Sequence, residues 1–234
     1  MRLDRHEYPG RLVTFCGVDG SGKTTLLRLV GEHLRLRGVV THETRMPTDM
    51  TRKHPLMLRF MYDPDAERRA SVDFLAVSLL VMADRLQQVK DEIAPRLEQG
   101  AVVLCDRYVY QAIVFARAMA EREAELVAIA ERFPAPDLAV FPCVPVKTAL
   151  ARINEREKDK GRFVDSELLA RQVAAYQDVA ASSGGCLLPS DGPAAATFEK
   201  LCPQLDALVA GMSGAGPAGA PIPIRQRTQR VATK

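Results

Sequence analysis

Five short apolar runs lie at intervals along the chain, each bounded by glycine, proline or charged residues. They predict β-strands at 12–16, 39–44, 101–106, 138–144 and 186–188. The third run, AVVLCD, is apolar at consecutive positions, as expected of an interior strand that is covered on both faces. Longer segments with helical spacing separate the runs. This alternation predicts an α/β domain in which helices flank a five-stranded parallel sheet.

The longer segments place apolar residues three and four positions apart, which predicts helices. We expect helices at 23–38, 73–98, 108–132, 146–156, 166–181 and 193–209. Pro95 lies inside the second of these and is expected to kink or break it, because proline lacks the backbone N–H. Asp165 or Ser166 is expected to cap the fifth.

Composition and charge exclude several classes of protein. Hydrophobic residues make up 47% of the 234 residues and charged ones 26%, which is typical of a folded globular chain. The segment 212–234 carries four basic and no acidic residues; subtracting +4 from the formal net charge of +3 leaves −1 for the rest. That balance argues against a nucleic-acid partner. We therefore expect a single domain at 11–210, preceded by an extension at 1–10 and followed by a disordered basic tail at 211–234.

Cellular location is predicted from the cysteines and from the absence of apolar segments. The five cysteines are widely spaced and contain no C-x-x-C pair, so buried, reduced thiols are expected. The N-terminal ten residues are charged, and no apolar run approaches the roughly 18 residues that a membrane span needs. These features predict a cytoplasmic protein with no membrane association.

The segment between the first strand and the first helix matches G-x-x-x-x-G-K-[ST] from Gly17 to Thr24. Such a loop wraps its backbone N–H groups around a triphosphate, and the helix N-terminus adds its positive dipole. Lys23 supplies a charge to the β and γ oxygens, and the Thr24 hydroxyl suits Mg²⁺. The predicted ATP-binding residues are Gly17, Gly20, Ser21, Gly22, Lys23, Thr24 and Thr25, with Lys23 also catalytic.

Further charged residues separate the possible kinds of nucleotide-binding protein. Asp19 lies inside the loop, where it either engages a hydroxyl of a second substrate or hydrogen-bonds loop amides. Asp106 ends an interior strand, a position suited to Mg²⁺, and Arg107 beside it suits a second phosphate. Arg85 on the long helix is either a solvated charge, paired with its neighbour Asp84 or Gln88, or part of a site.

Several segments together resemble a known family. GVDGSGKTTL, LLVMADR, and CDRY followed by Phe115 resemble, in the same order, the thymidylate kinases, which are P-loop kinases of nucleoside monophosphates. PDLAVFPCVPVKTALARI is similar to that family's fourth strand and the entry to its lid. The resemblance covers about residues 11–209. It implies a three-layer P-loop NTPase fold with a short lid, Mg²⁺ as cofactor, and transfer of the γ-phosphoryl of ATP to dTMP.

The resemblance also implies roles for individual residues. Asp19 would engage the sugar 3′-hydroxyl or position the acceptor phosphate, which Arg45 and Arg107 would bind. Arg85 would contact the thymine carbonyl edge, and Phe115 would stack on the base. These five residues form the predicted acceptor site, and Asp19 and Arg107 are also assigned to catalysis. In addition, the family implies a homodimer whose helices beside the acceptor site pack face to face.

The charged run at 154–163 corresponds to the lid that closes over ATP. The alternative is an ordinary solvated loop whose charges alternate in sign. As a lid it would bring an arginine to the transferring phosphoryl group. Arg152 and Arg156 are the alternative donors, of which Arg156 is placed among the predicted catalytic residues.

Two positions depart from the family pattern. Val81 stands four residues before Arg85, where the family usually has a phenylalanine, and Met46 replaces the acid of its T-R-E-P segment. Two alternatives therefore stay open. One is a deoxynucleoside kinase or another P-loop phosphotransferase with a different acceptor. The other is a nucleotide-binding regulatory protein without transfer activity.

Overall fold

A computed structural model describes residues 3–155, 164–210 and 212 of the chain. Arg156, most of the predicted lid and nearly all of the predicted tail therefore lie outside the described residues. Five strands form one fully parallel sheet, and two short strands pair separately in parallel. In chain order the strands are β1 (Asp4–Arg5), β2 (Arg11–Phe15), β3 (Thr41–Arg45), β4 (Val102–Asp106), β5 (Pro134–Ala135), β6 (Leu138–Cys143) and β7 (Cys186–Pro189).

The main sheet has the strand order β3–β4–β2–β6–β7. Its register places Phe15 and Arg45 on either side of Asp106, at the carboxyl ends of three adjacent strands. In open parallel sheets this edge is where ligands bind. The outer pair joins β1 to β5, so part of the segment predicted as an N-terminal extension packs beside the domain.

Helices cover both faces of the sheet. They are α1 (Lys23–Leu36), α2 (Asp49–Arg52), α3 (Pro55–Tyr62), α4 (Ala66–Ala70), α5 (Phe74–Gln88), α6 (Ala94–Glu98), α7 (Tyr110–Met119), α8 (Glu123–Ala130), α9 (Val146–Asn154), α10 (Ser166–Ser183) and α11 (Ala194–Val209). Val13 and Phe15 pack with α1 and α11 on one face, while Leu12 packs toward α5, α7 and α10 on the other. The α/β fold with a five-stranded parallel sheet is confirmed.

The helix predicted at 73–98 is interrupted as proline requires. A π-helical turn, Val89–Ile93, joins α5 to α6, and Pro95 is the second residue of α6. Proline cannot donate to the preceding turn and clashes with the carbonyl four residues back, so a widened turn lets the helical path continue. The predicted cap is also confirmed, because the Asp165 side chain accepts hydrogen bonds from the backbone N–H groups of Glu167 and Leu168.

The single helix predicted at 108–132 is wrong. The chain forms α7 and α8, separated by Ala120 and Arg122 in the left-handed region with φ of 57° and 55°. Intrinsic preference does not predict this break, since the local residues favour helix. The turn directs Leu126 and Ala130 into the same core as α5, and that burial outweighs the local preference.

All five cysteines are free; Cys16 and Cys105 are buried and the other three are half-buried. In the part of the chain that the structure describes, no helix has both the length and the apolarity needed to cross a membrane.

Candidate active site

The phosphate loop joins β2 to α1 at the carboxyl edge of the sheet. Gly20 has a φ of +83°, and a Cβ placed there would lie 2.6 Å from the carbonyl oxygen of Ala149 on α9. Gly22 caps α1 with a φ of 87°. Both positions need glycine because a side chain is strained at such angles. Thr24 and Thr25 lie exposed in the first turn of α1, beside the helix N-terminus.

Lys23 is folded back onto this loop. Its Nζ donates hydrogen bonds to the carbonyl oxygens of Gly17, at 2.9 Å, and Val18, at 2.7 Å. Burial, followed by the charge of the nearby Arg107 guanidinium, lowers the pKa of Lys23 to about 8. Ser21 adds a buried hydroxyl that has no hydrogen-bond partner among the described residues. The loop therefore holds an ammonium whose charge is sensitive to its surroundings.

Asp19 and Arg107 form a direct ion pair. Arg107 Nη2 lies 2.6 Å from Asp19 Oδ1, and both side chains are largely buried. Arg107 has a φ of 73°, and its backbone N–H donates to the carbonyl of Phe15, which fixes it at the end of β4. Burial would lower the pKa of Arg107, but the Asp19 carboxylate raises it well above its usual range. Neither expectation for Asp19 foresaw this partner.

Asp106 and Arg45 face each other across β4 and β3. Arg45 Nε lies 3.9 Å from Asp106 Oδ2. The other carboxylate oxygen, Oδ1, is buried and accepts no hydrogen bond from any residue that the structure describes. Burial, followed by the charge of Arg52, lowers the pKa of Arg45. An unpaired carboxylate oxygen at this edge, together with the Thr24 hydroxyl, offers the hard oxygen ligands that suit Mg²⁺.

Arg85 is not a solvated charge. Its side chain is 1% exposed, and Nη2 donates to Gln111 Oε1 at 2.8 Å. Its Nε and Nη1 are buried without a hydrogen-bond partner in the described ranges, and burial lowers its pKa to about 10. Asp84 does not pair with it. Instead the Asp84 carboxylate accepts hydrogen bonds from the backbone N–H and the hydroxyl of Thr48, which holds the turn after Arg45.

The last predicted acceptor residue, Phe115, and the departing position Val81 lie on helices α7 and α5. Phe115 is half-buried on α7, four residues after Gln111 and therefore on the same helical face. Val81 is half-buried on α5, one turn before Arg85. A small side chain thus occupies the place where the family pattern has an aromatic ring.

A cleft of about 420 Å³ opens on the other side of the phosphate loop. Residues lining it include Gly20, Ser21, Gly22, Thr25, Arg152 and Ser190. The Arg152 guanidinium donates to three backbone carbonyls, those of Gly20 (3.3 Å), Ser190 (2.9 Å) and Asp191 (3.2 Å). It therefore ties the phosphate loop to the segment after β7. Arg156, the alternative lid arginine, lies outside the described residues.

Gln88 is a site residue that sequence reasoning missed. Its Nε2 donates to Thr44 Oγ1 (2.8 Å), to the Arg45 carbonyl (3.1 Å) and to Glu92 Oε2 (3.0 Å). These bonds hold the end of β3, and hence Arg45, against α5. The apolar spacing of this helix did not indicate Gln88, because Leu79 and Leu86, which that spacing would bury, are 45% and 38% exposed.

A family model described as thymidylate kinase matches residues 15–192. The chain belongs to the thymidylate kinase family. A probable thymidylate kinase of Pyrococcus horikoshii is 35% identical over 147 residues, covering 63% of this chain and 71% of that protein. A thymidylate kinase of Acaryochloris marina is 31% identical over 186 residues, covering 72% and 79%. One from Caldicellulosiruptor saccharolyticus is 29% identical over 206 residues, covering 86% and 98%.

The family match covers both the phosphate loop and the predicted acceptor residues. It begins at the end of β2 and contains the phosphate loop, Arg45, Arg85, Arg107 and Phe115. The thymidylate kinase family therefore accounts for the fold and for the sequence order of these residues.

Proposed function

We propose that this chain transfers the γ-phosphoryl group of ATP to dTMP, giving ADP and dTDP. Membership of the thymidylate kinase family supports the reaction. The observation that carries the proposal is the Asp19–Arg107 ion pair. It places the buried Arg107 guanidinium, at the end of β4, next to the phosphate loop. An acceptor phosphate bound by this guanidinium would lie beside the phosphates of ATP.

In this proposal the phosphate loop binds ATP, with Lys23 on the β and γ oxygens and the backbone N–H groups of Gly17 to Thr25 around them. Thr24 and Asp106 would hold Mg²⁺, which would supply positive charge against the triphosphate. Arg45 and Arg107 bind the acceptor phosphate. Its ionised oxygen attacks the γ-phosphorus in line and ADP leaves, so no general base is needed. The rate enhancement then comes from positioning the two phosphates and from stabilising the negative charge of the transition state.

The base lies between α5 and α7 in this arrangement. Arg85 donates to a carbonyl of the thymine, which gives an acceptor to the N–H groups that have no partner among the described residues. Phe115 stacks on the ring, and Val81 gives it apolar contact without a second aromatic face. Since three carbonyls already engage Arg152, Arg156 is the proposed donor to the transferring phosphoryl group.

The first experiment follows ADP formation with Mg·ATP and a panel of acceptors. The panel contains dTMP, dUMP, dCMP, UMP, CMP, AMP, GMP and thymidine. Turnover fastest with dTMP is the expected result. Faster turnover with another monophosphate overturns the base assignment, and turnover of thymidine alone favours a deoxynucleoside kinase. ADP formation that no acceptor changes overturns transfer and favours the regulatory alternative.

We further propose that the chain is a homodimer that packs through α5. Leu79 and Leu86 are 45% and 38% exposed and, with Ala76 and Ala83, form an apolar stripe along that helix. Sedimentation equilibrium at about 10 μM is expected to give twice the chain mass of 25.7 kDa. Leu79→Glu is expected to give the single mass, because it places a charge in the apolar contact.

A matched control keeps this test specific. Leu36 is 89% exposed on α1, which lies on the opposite face of the sheet. Leu36→Glu is expected to leave the sedimenting mass at the dimer value. A single-chain mass for the unaltered protein contradicts the dimer, and a loss of mass in both variants contradicts its placement on α5.

A further inference from the structure

Glu92 lies on the π-helical turn that joins α5 to α6, outside the groups that the proposed reaction uses. Its Oε1 lies 2.8 Å from His42 Nε2 on β3, and its Oε2 accepts from Gln88 Nε2 on α5 at 3.0 Å. π-Helical turns are rare and are often found at functional sites. This one brings a carboxylate against both the edge strand and the helix that flank the proposed acceptor site.

The Glu92 carboxylate is ionised at neutral pH. Burial would raise its pKa, but hydrogen bonds from His42, Gln88 and Thr44 lower it to about 2. An ionised carboxylate only accepts hydrogen bonds, so each of these neighbours must turn a donor toward it. His42 therefore carries a proton on Nε2, and Gln88 presents its NH₂ group.

The carboxylate decides which way the Gln88 amide points. Gln88 is 6% exposed, and its Oε1 is buried without a hydrogen-bond partner among the residues that the structure describes. Its Nε2 lies 3.1 Å from the carbonyl oxygen of Arg45 as well as 3.0 Å from Glu92 Oε2. Turning the amide over would set Oε1 against both of these acceptors. Glu92 thus keeps a donor on the Arg45 carbonyl.

Arg45 needs this support because its other described contacts are weak. Its side chain is 45% exposed, and its ion pair with Asp106 is long, at 3.9 Å between Nε and Oδ2. β3 is an edge strand, so the ladder with β4 holds its backbone from one side only. The Gln88 amide fixes that backbone a second time, at the Arg45 carbonyl.

We propose that Glu92 is a positioning residue for the acceptor phosphate. It orients the Gln88 amide, which holds the strand end from which Arg45 reaches the phosphate. This inference rests on the proposed function, because that function assigns the acceptor phosphate to Arg45. Without the charge of Glu92 the amide is free to turn, and the guanidinium loses its fixed starting point.

The first test is Glu92→Gln, which keeps the volume and removes the charge. We expect KM for dTMP to rise about tenfold, with kcat within about threefold and KM for ATP within about twofold. Gln88→Leu removes the intermediary and is expected to give the same pattern, so the test does not depend on one variant. Glu98→Gln is the matched control, since Glu98 is exposed on α6, at the edge of the sheet opposite the site. It is expected to change neither KM.

Calorimetric titration of dTMP and of thymidine, both without ATP, isolates the contribution of the phosphate. In Glu92→Gln the ratio of the two affinities is expected to fall about tenfold, while thymidine affinity stays within about twofold. A merely structural role for Glu92 would weaken both ligands equally, because the helix that carries it also flanks the base. Equal weakening therefore overturns the inference.

A double variant tests whether Glu92 acts through Arg45. Arg45→Ala is expected to lower dTMP affinity by about 30-fold, because a charge-assisted bond to the phosphate is lost. Adding Glu92→Gln is expected to cost less than about twofold more, since no guanidinium is left to misplace. Losses that multiply in the double variant show that the two residues act independently and overturn the inference.

The same measurements separate this inference from the proposed function. Where a monophosphate other than dTMP binds tightest, the titration uses that nucleotide and its nucleoside. A loss confined to the phosphate then supports the inference although the base assignment fails. Transfer to dTMP with an unchanged dTMP/thymidine ratio in Glu92→Gln overturns the inference and leaves the function intact. Binding of no monophosphate by the unaltered protein overturns both.

Discussion

Arg107→Ala is expected to lower kcat/KM for dTMP by at least about 10³-fold, because an arginine on the phosphates of a phosphoryl transfer is worth that much. In the structure Arg107 is largely buried and held to Asp19 at 2.6 Å, so its charge is fixed at the strand end where the acceptor phosphate is proposed to bind. ATP binding is expected to weaken by only about tenfold, since the variant removes the cation that balances the Asp19 carboxylate beside the triphosphate. Calorimetric titration with a non-hydrolysable ATP analogue measures the second effect, and steady-state kinetics measure the first.

A second variant separates the two roles of the ion pair. Asp19→Asn combined with Arg107→Ala removes the negative charge together with the cation, so ATP affinity is expected to return to within about threefold of the unaltered protein while transfer stays lost. Equal loss of ATP affinity in the single and double variants contradicts the assignment of Arg107 to the acceptor phosphate. It would place the guanidinium on ATP instead.

Local pattern predicted the sheet and the phosphate loop. Each strand of the main sheet lies within two residues of its predicted bounds, because glycine, proline and charged residues mark both ends of every apolar run. Gly17 to Thr24 are contiguous, so one segment of sequence contains the whole loop and its chemistry. The end of β4 likewise predicts Asp106 and Arg107 at the ligand-binding edge, since a parallel sheet brings its carboxyl ends together.

Contacts between distant segments could not be predicted from the sequence pattern. Asp19 and Arg107 are 88 residues apart, and Arg85 and Gln111 are 26 apart. Each pair forms only once the helices pack on the sheet. The turn between α7 and α8 and the short helices α2, α3 and α4 depend on the same packing, since no strong periodicity predicts them. Arg85 shows the limit most clearly, because a charged residue on a helix is usually exposed.

The unexpected polar contacts also explain how the site is held. Asp84 binds the turn after Arg45, Gln88 binds the carbonyl of Arg45, and Arg85 binds Gln111. All three come from consecutive turns of α5. One helix therefore positions residues at both the phosphate end and the base end of the proposed acceptor site, so the proposed function requires a fixed register of this helix against the sheet.

Lys23→Met is expected to lower transfer by about 10³-fold and ATP affinity by about 10- to 100-fold, because a charge-assisted bond to the triphosphate is lost. Lys23 Nζ is the buried cation of the phosphate loop, and its two carbonyl partners hold it at the loop's centre. Steady-state kinetics and titration of a non-hydrolysable ATP analogue measure the two losses. Lys200→Met, which removes an exposed lysine from α11, is expected to change neither.

The pH dependence of ATP affinity shows whether the charge of Lys23 or only the shape of its side chain matters. Burial sets the pKa of Lys23 at about 8, and ATP requires its charged form, so ATP binding draws a proton onto the lysine as pH rises. In the unaltered protein, ATP affinity is expected to be constant from pH 7 to 8 and to fall about tenfold per unit above it. In Lys23→Met that fall is expected to vanish. A variant that keeps the same decline above pH 8 assigns the titration to another group, and a flat profile in the unaltered protein shows that Lys23 stays charged throughout.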